Sequence, residues 1–341
     1  MTDNNRQWLL KERPSGLIGP EHFQLVDSPI PTPDLDMGQV LVRTLMLGFD
    51  PAMRGWVEDV RSYLPPVGLG EPMRASGVGQ VIASNNAELP EGCLVQGLLN
   101  WQEYSIGDPA GSIPPRRLPE GVSPGMALSV FGTTSLTAYF GLLDVGQPRE
   151  GETVLVSGAA GATGSIVAQI ARLKGCRVIG IAGGPEKCEW LRDACRLDAV
   201  IDYKNEDVDA RLKALCPDDV DVFFDNVGGE TLETAINHMA DFGRIALCGA
   251  ISQYNDERPR PGPHNLMVLV ARRIRMQGFI VLDYLDRAEE AFTELATWVM
   301  NGDIAWREDV QAGFENIPAT LQRLFDGRNQ GKQLLHLADP D

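Results

Sequence analysis

Between residues 126 and 300 the chain alternates between short, continuous apolar runs and longer stretches with apolar residues at helical spacing. The runs Thr153–Ser157, Arg177–Ala182, Ala199–Asp202, Val220–Asp225, Gly243–Leu247 and Arg275–Val281 read as strands. Continuous apolar runs of this length mark strands covered on both faces, as in a parallel sheet. The stretches Ser165–Lys174, Pro185–Arg196, Asp207–Leu215 and Thr231–Met239 read as the helices between them, and Asp286–Asn301 as an amphipathic helix after them. Strand and helix in turn predict a doubly wound α/β sheet.

The texture differs at both ends. Residues 1–125 are rich in Pro and Gly and hold short β-like pieces at Gln39–Leu47, Val78–Ser84, Cys93–Leu99 and Trp101–Ile106, which predicts a mostly β domain. Residues 301–341 return to short strand and helix pieces. A chain of 341 residues fits two domains.

Chemistry concentrates at Thr153–Gly164, TVLVSGAAGATG, where a strand breaks into small residues and a helix follows at once. Small residues let backbone approach a pyrophosphate, and the free N–H groups and dipole of the helix N-terminus favour the anion. Against G-x-G-x-x-G the turn reads Ala159-x-Gly161-x-x-Gly164, with alanine in the first glycine place. Gly161, Ala162, Thr163 and Gly164 are thus candidate dinucleotide contacts.

The next strand selects among dinucleotides. A site for NADH usually carries Asp or Glu about 20 residues past the glycines, where it binds the ribose 2′-hydroxyl. Here that place holds Gly183 and Gly184, and Lys187 follows in the first turn of the next helix, opened by Pro185. A missing acid and an added cation predict NADPH.

Charge and cysteine usage narrow the partners. Thirty basic against 47 acidic residues give −17, which argues against nucleic acid or an anionic membrane surface. The first residues lack the apolar stretch of a signal peptide, and no apolar run is long enough to cross a bilayer. Six scattered cysteines without C-x-x-C, and four histidines without ligand spacing, predict free thiols in a reducing cytoplasm and no metal.

Ligands of open parallel sheets bind beyond the carboxyl ends of the strands. Those ends carry Tyr203, Asn226 before Val227-Gly228-Gly229, Cys248-Gly249, and Phe279. Asn226 suits either a turn or a ribose contact. Cys248 has no nearby His or Lys to activate it, so filler is the better reading. Tyr254 lies in a loop with Ser252, Gln253 and Asn255, where a phenol can donate to a substrate carbonyl. Trp56, Tyr63, Met73 and Trp101 suit either core or pocket lining.

The segments AAGATGS, KGCRV, AGGPEK, DNVGGE, GRIALCGAISQYN, MQGF and GRNQGK, spread over nearly the whole chain, resemble the zinc-independent medium-chain dehydrogenase/reductases. Within them the chain is similar to the alkenal/one oxidoreductase branch. The resemblance implies a GroES-like catalytic domain completed by the C-terminal segment, a Rossmann domain, and a homodimer. It also implies NADPH-dependent reduction of the carbon–carbon double bond of α,β-unsaturated aldehydes or ketones. It assigns Gly161–Gly164 to the pyrophosphate and Lys187 and Tyr203 to the 2′-phosphate. Further cofactor contacts implied are Asn226, Cys248, Gly249, Ala250, Ile251, Ser252, Tyr254, Phe279, Ile280, Val281 and Asn329. Tyr254 is also the residue it places near the reacting enone. One departure stands out: the family's DPYMRGRM reads DPAMRGWV here, so Ala52 replaces a tyrosine that faces the active site. A quinone reductase, or a non-catalytic NADPH-binding protein, on the same fold are the alternative readings.

Overall fold

A computed structural model describes residues 4–111, 113–258 and 260–341. The chain forms two compact units, one of residues up to Ser129 joined by Glu308–Asp341, the other Val130–Arg307.

In the first unit the strands are β1 (Asn4–Leu10), β2 (Phe23–Pro29), β3 (Val40–Phe49), β4 (Ser76–Ala83), β5 (Leu94–Leu98), β6 (Tyr104–Gly107) and β7 (Arg116–Arg117), with short helices α1 (Met53–Trp56) and α2 (Pro124–Leu128). The second unit contributes α3 (Thr133–Phe140), β8 (Thr153–Ser157), α4 (Ala162–Leu173), β9 (Arg177–Ala182), α5 (Pro185–Asp193), β10 (Ala199–Asp202) and α6 (Val208–Leu215). It continues with β11 (Val220–Asp225), α7 (Gly229–Asn237), β12 (Met239–Leu247), α8 (Met267–Arg272), β13 (Arg275–Gly278) and α9 (Ala288–Met300). The chain then returns to the first unit as β14 (Glu308–Ala312), α10 (Ile317–Phe325) and β15 (Lys332–His336).

The first unit is the expected mostly β body. Its main sheet runs β14-β15-β3-β4-β5-β7, with β6 also on β3, and β1 pairs with β2 apart from it. Strand β15 lies antiparallel to β3, Gln333 opposite Phe49, so residues 308–336 join the sheet built by strands far ahead of them in the chain. Lys332, buried at the start of that strand, meets Asp50 at 2.6 Å and ties the turn that carries Ala52. Trp101 and Met73, read from sequence as core or lining, are both fully buried, Trp101 between Phe23 and Phe49. Neither lines a surface. Trp56 and Tyr63 remain accessible and join by a 2.7 Å hydrogen bond from the indole N–H to the phenol.

The second unit holds a six-stranded sheet in the order β10-β9-β8-β11-β12-β13, parallel throughout. From β8 the chain winds outward through β9 and β10, then crosses back and winds the other way through β11, β12 and β13. The topological switch point therefore lies between β8 and β11. Val154, Leu155, Val156, Val222, Phe223 and Phe224 in those two strands are fully buried, as their apolar runs demand. Element ends shift modestly from the sequence reading. The helix expected through Arg196 stops at Asp193, since Arg196 is left-handed at φ 58°. The last strand ends at Gly278, before Phe279.

Candidate active site

The glycine turn leaves the end of β8 at Ser157. Gly158 takes the left-handed conformation, φ 58°, so the tight-turn glycine of the motif stands one place before Ala159. Ala159 is tolerated in the first glycine position because Gly180 on β9 offers no side chain. A Cβ there would lie 2.9 Å from the Ala159 methyl and 2.7 Å from Leu197. Gly164 lets α4 press onto the turn, since a Cβ at that place would strike the Gly158 carbonyl oxygen. No side chain caps α4 at Gly161, and Ala162 and Thr163 in its first turn are only half-buried. First-turn N–H groups lack intrahelical acceptors, so this end fits a pyrophosphate.

Across the switch point the strand ends are bolted together. Ser157 Oγ donates to Asp225 Oδ1 at 2.7 Å and accepts the Asn226 N–H at 2.8 Å. The Asn226 side-chain amide donates to the Ser157 carbonyl at 2.7 Å, so Asn226 acts as a brace at this edge. Asp225 is completely buried. Burial pushes its carboxyl above the usual range, while Ser157 Oγ–H and the N–H groups of Val227 and Gly228 pull the other way. Sequence reading passed over Ser157 and Asp225; the signal was two polar residues, each closing an apolar strand.

The segment Cys248–Tyr254 folds over the same turn. Cys248 N–H and Gly249 N–H donate to the Asp225 carbonyl at 2.9 and 3.2 Å, and Ile251 N–H to that of Asn226 at 3.3 Å. Ser252 Oγ reaches the Val227 carbonyl at 2.7 Å. This fit requires Gly228 and Gly229, both at positive φ. A Cβ on the first would sit 2.8 Å from that of Ala250, and on the second 2.9 Å from Ser252 Oγ. Tyr254 turns back on its own loop, its hydroxyl accepting the Ala250 N–H at 3.1 Å. The Cys248 thiol, desolvated and beside Asp225, is pushed up to about 12, which makes it inert at neutral pH. Phe279 lies edge-on to Phe224, ring centres 6.0 Å apart, and Ile280 and Val281 follow it half-buried.

At the other end of the carboxyl edge, Lys187 is the third residue of α5 and Tyr203 immediately follows β10. Tyr203 is 55% exposed and its N–H pairs with the Ala182 carbonyl at 3.1 Å. Gly161–Gly164, Lys187, Tyr203, Asn226, Cys248–Tyr254 and Phe279–Val281 thus all belong to the second unit and follow or flank strand ends. Asn329 belongs to the first unit, where its amide donates to the Gly331 carbonyl at 3.1 Å, just before β15. Ala52, half-buried beside α1, is also there.

Residues 6–114 match a family model described as the N-terminal domain of oxidoreductase, and residues 162–300 one described as zinc-binding dehydrogenase. The chain is 40% identical to NADPH-dependent curcumin reductase of Escherichia coli, over 99% of this chain and 98% of that protein. It is 37% identical to the NADP⁺-dependent 2-alkenal reductase of Nicotiana tabacum, over 97% of each. The crystal structure of CurA from Vibrio vulnificus in complex with NADPH superposes with a TM-score of 0.92, at 42% identity over 98% of this chain and all of that one. The chain belongs to the medium-chain dehydrogenase/reductases, in the alkenal/one reductase branch. Zinc in proteins is held by clustered Cys, His and acidic side chains. Among the described residues no group of three or more Cys, His, Asp or Glu side chains comes together that could hold a metal ion. The residues do fit a dinucleotide: the open α4 terminus, the glycine cradle and the end of β9, where Gly183 and Gly184 stand in place of an acid, lie along one edge of one sheet. No helix among the described residues is long and apolar enough to cross a membrane.

Proposed function

We propose that this protein reduces the carbon–carbon double bond of α,β-unsaturated ketones and aldehydes with NADPH, without a metal. The end-to-end likeness to a curcumin reductase and a 2-alkenal reductase carries this reading. When bound, NADPH supplies the hydride that saturates the β-carbon. The N–H groups of the α4 first turn, over Gly161–Gly164, would hold its pyrophosphate. Lys187 and Tyr203 would hold its 2′-phosphate. Asn226, Cys248–Tyr254, Phe279–Val281 and Asn329 complete the cofactor contacts in this proposal.

The chain's own chemical task is to accept charge on the substrate oxygen. As the β-carbon becomes saturated, negative charge builds on the carbonyl oxygen, and a positioned donor stabilises it. In acyl-transfer sites one such donor is worth ~3–4 kcal/mol, an upper guide for an enolate. Tyr254 is the proposed donor, and it or water delivers the proton to the α-carbon. Ala52, where the family carries tyrosine, widens the substrate pocket in this reading. The protein is further proposed to be a cytoplasmic homodimer, in keeping with its six free cysteines and its family.

The test is a panel of enones, 2-alkenals and quinones followed by NADPH oxidation, with products identified. The saturated ketone or aldehyde is the expected product, and chelation should leave its rate unchanged. Turnover confined to quinones would overturn the reading in favour of a quinone reductase.

A further inference from the structure

Position 183, where an NADH-selective site would carry its acid, is occupied by a neighbouring side chain. β9 and β10 pair in parallel, Ala182 beside Asp202, so the residues that follow each strand emerge side by side. Those residues are Gly183 and Tyr203. A Cβ built on Gly183 would lie 2.7 Å from Tyr203 Cε1, 2.8 Å from Cζ and 2.9 Å from Oη. Ordinary carbon contacts lie at about 3.5–4.0 Å. Even one methyl at 183 therefore cannot coexist with the ring as it stands. Gly183 is not at positive φ, so backbone strain is no reason for glycine here; the ring is.

The floor beneath this pair is fixed. Asp202 accepts the N–H of Gly184 at 2.8 Å and of Lys204 at 3.1 Å, and the Asn205 amide at 2.8 Å. It thus joins the turn after β9 to the turn after β10. The adjacent carboxylate is thereby engaged with three donors. The ring itself is half open to solvent, so a side chain at 183 would displace it into solvent rather than break the fold.

We infer that Tyr203 is a specificity-determining residue whose ring and a side chain at position 183 are mutually exclusive. Any residue larger than glycine at 183 removes the phenol from the 2′-phosphate as surely as deleting it. An acid there would act twice, by repelling the phosphate and by displacing its donor. This deepens the cofactor reading above and rests on it.

The prediction separates steric from electrostatic effects, because Gly183→Ala adds no charge. Calorimetric binding of adenosine 2′,5′-bisphosphate and of ADP would be measured for the parent, Gly183→Ala, Tyr203→Ala and the double variant, with a thermal melt on each. Tyr203→Ala should weaken the bisphosphate about tenfold, the scale of one charge-assisted hydrogen bond, and leave ADP nearly unchanged. Gly183→Ala should produce the same loss, and the double variant no further loss, with all four melting alike. Losses that add fully in the double variant would overturn the mutual exclusion while leaving the NADPH reading intact. A Gly183→Ala protein that binds the bisphosphate like the parent would do the same. A parent that binds both nucleotides equally would instead overturn the cofactor reading, and this inference with it.

Discussion

Tyr254 combines two roles in one hydroxyl. Its oxygen accepts the Ala250 N–H at 3.1 Å, and the phenol passes 2.7 Å from where a Gly249 Cβ would stand, which is why that residue is glycine. The ring thus holds the loop that carries it, and the same hydroxyl is the proposed enolate donor. Tyr254→Phe keeps the ring packing and removes both hydrogen bonds. Because a transition-state donor is lost, kcat and kcat/KM for an enone should fall together, by tenfold to several hundredfold, while NADPH affinity moves far less. An unchanged kcat would leave the hydroxyl as a loop brace alone. At Cys248 the thiol is pushed up to about 12 by burial, so alkylating reagents at neutral pH should not compete with this chemistry.

Among the elements, β8 and β11 matter most, because the proposed cofactor edge lies where they part. Ser157 at the end of one donates to Asp225 at the end of the other, and receives the Asn226 N–H in return. Both residues are fully buried, so neither can replace a lost partner with water. Ser157→Ala strands the Asn226 N–H and deprives the buried carboxylate of its only hydroxyl donor among the described contacts. The expected cost is about 1–3 kcal/mol, read as a lower denaturant midpoint. A midpoint equal to the parent's would show that the strand ends hold without this bolt. The turn built on them also explains the paired glycines 228 and 229, whose missing side chains admit the 248–254 segment.

For the whole molecule, pH sensitivity follows from a few carboxylates. The Gly184 N–H, with Asn205 and Lys204, holds Asp202 below the ordinary carboxylate range. Burial raises Glu152 and Asp309, but Arg244 with the Arg149 amide outweighs it at the first, and Arg323 with Gln311 at the second, so both also titrate low. Depressed carboxyls stabilise the folded state above their unfolded values, near 4, and that stability is lost as pH falls through their folded ones. The net charge of −17 works the other way, since self-repulsion relaxes on mild acidification. Thermal midpoints should therefore hold or rise slightly from pH 7 to about 5, then fall steeply below about 4. A midpoint still rising between pH 4 and 3 would contradict this account.

By itself the sequence determined the alternation of apolar runs and helical stretches, and hence the doubly wound sheet. It also determined the glycine turn after Ser157 and the missing acid at Gly183. These are local properties: backbone freedom, periodicity and charge belong to residues near one another in the chain. The tertiary structure alone decided why Ala159 can stand in a glycine's place, because the compensating Gly180 comes from the next strand. It alone joined Ser157 to Asp225, 68 residues apart, and sent Trp101 and Met73 into the core rather than to a surface. It also set Tyr203 in the space beside Gly183. Each depends on which strands become neighbours. That register is set by burying whole apolar faces, and no single stretch of sequence contains it.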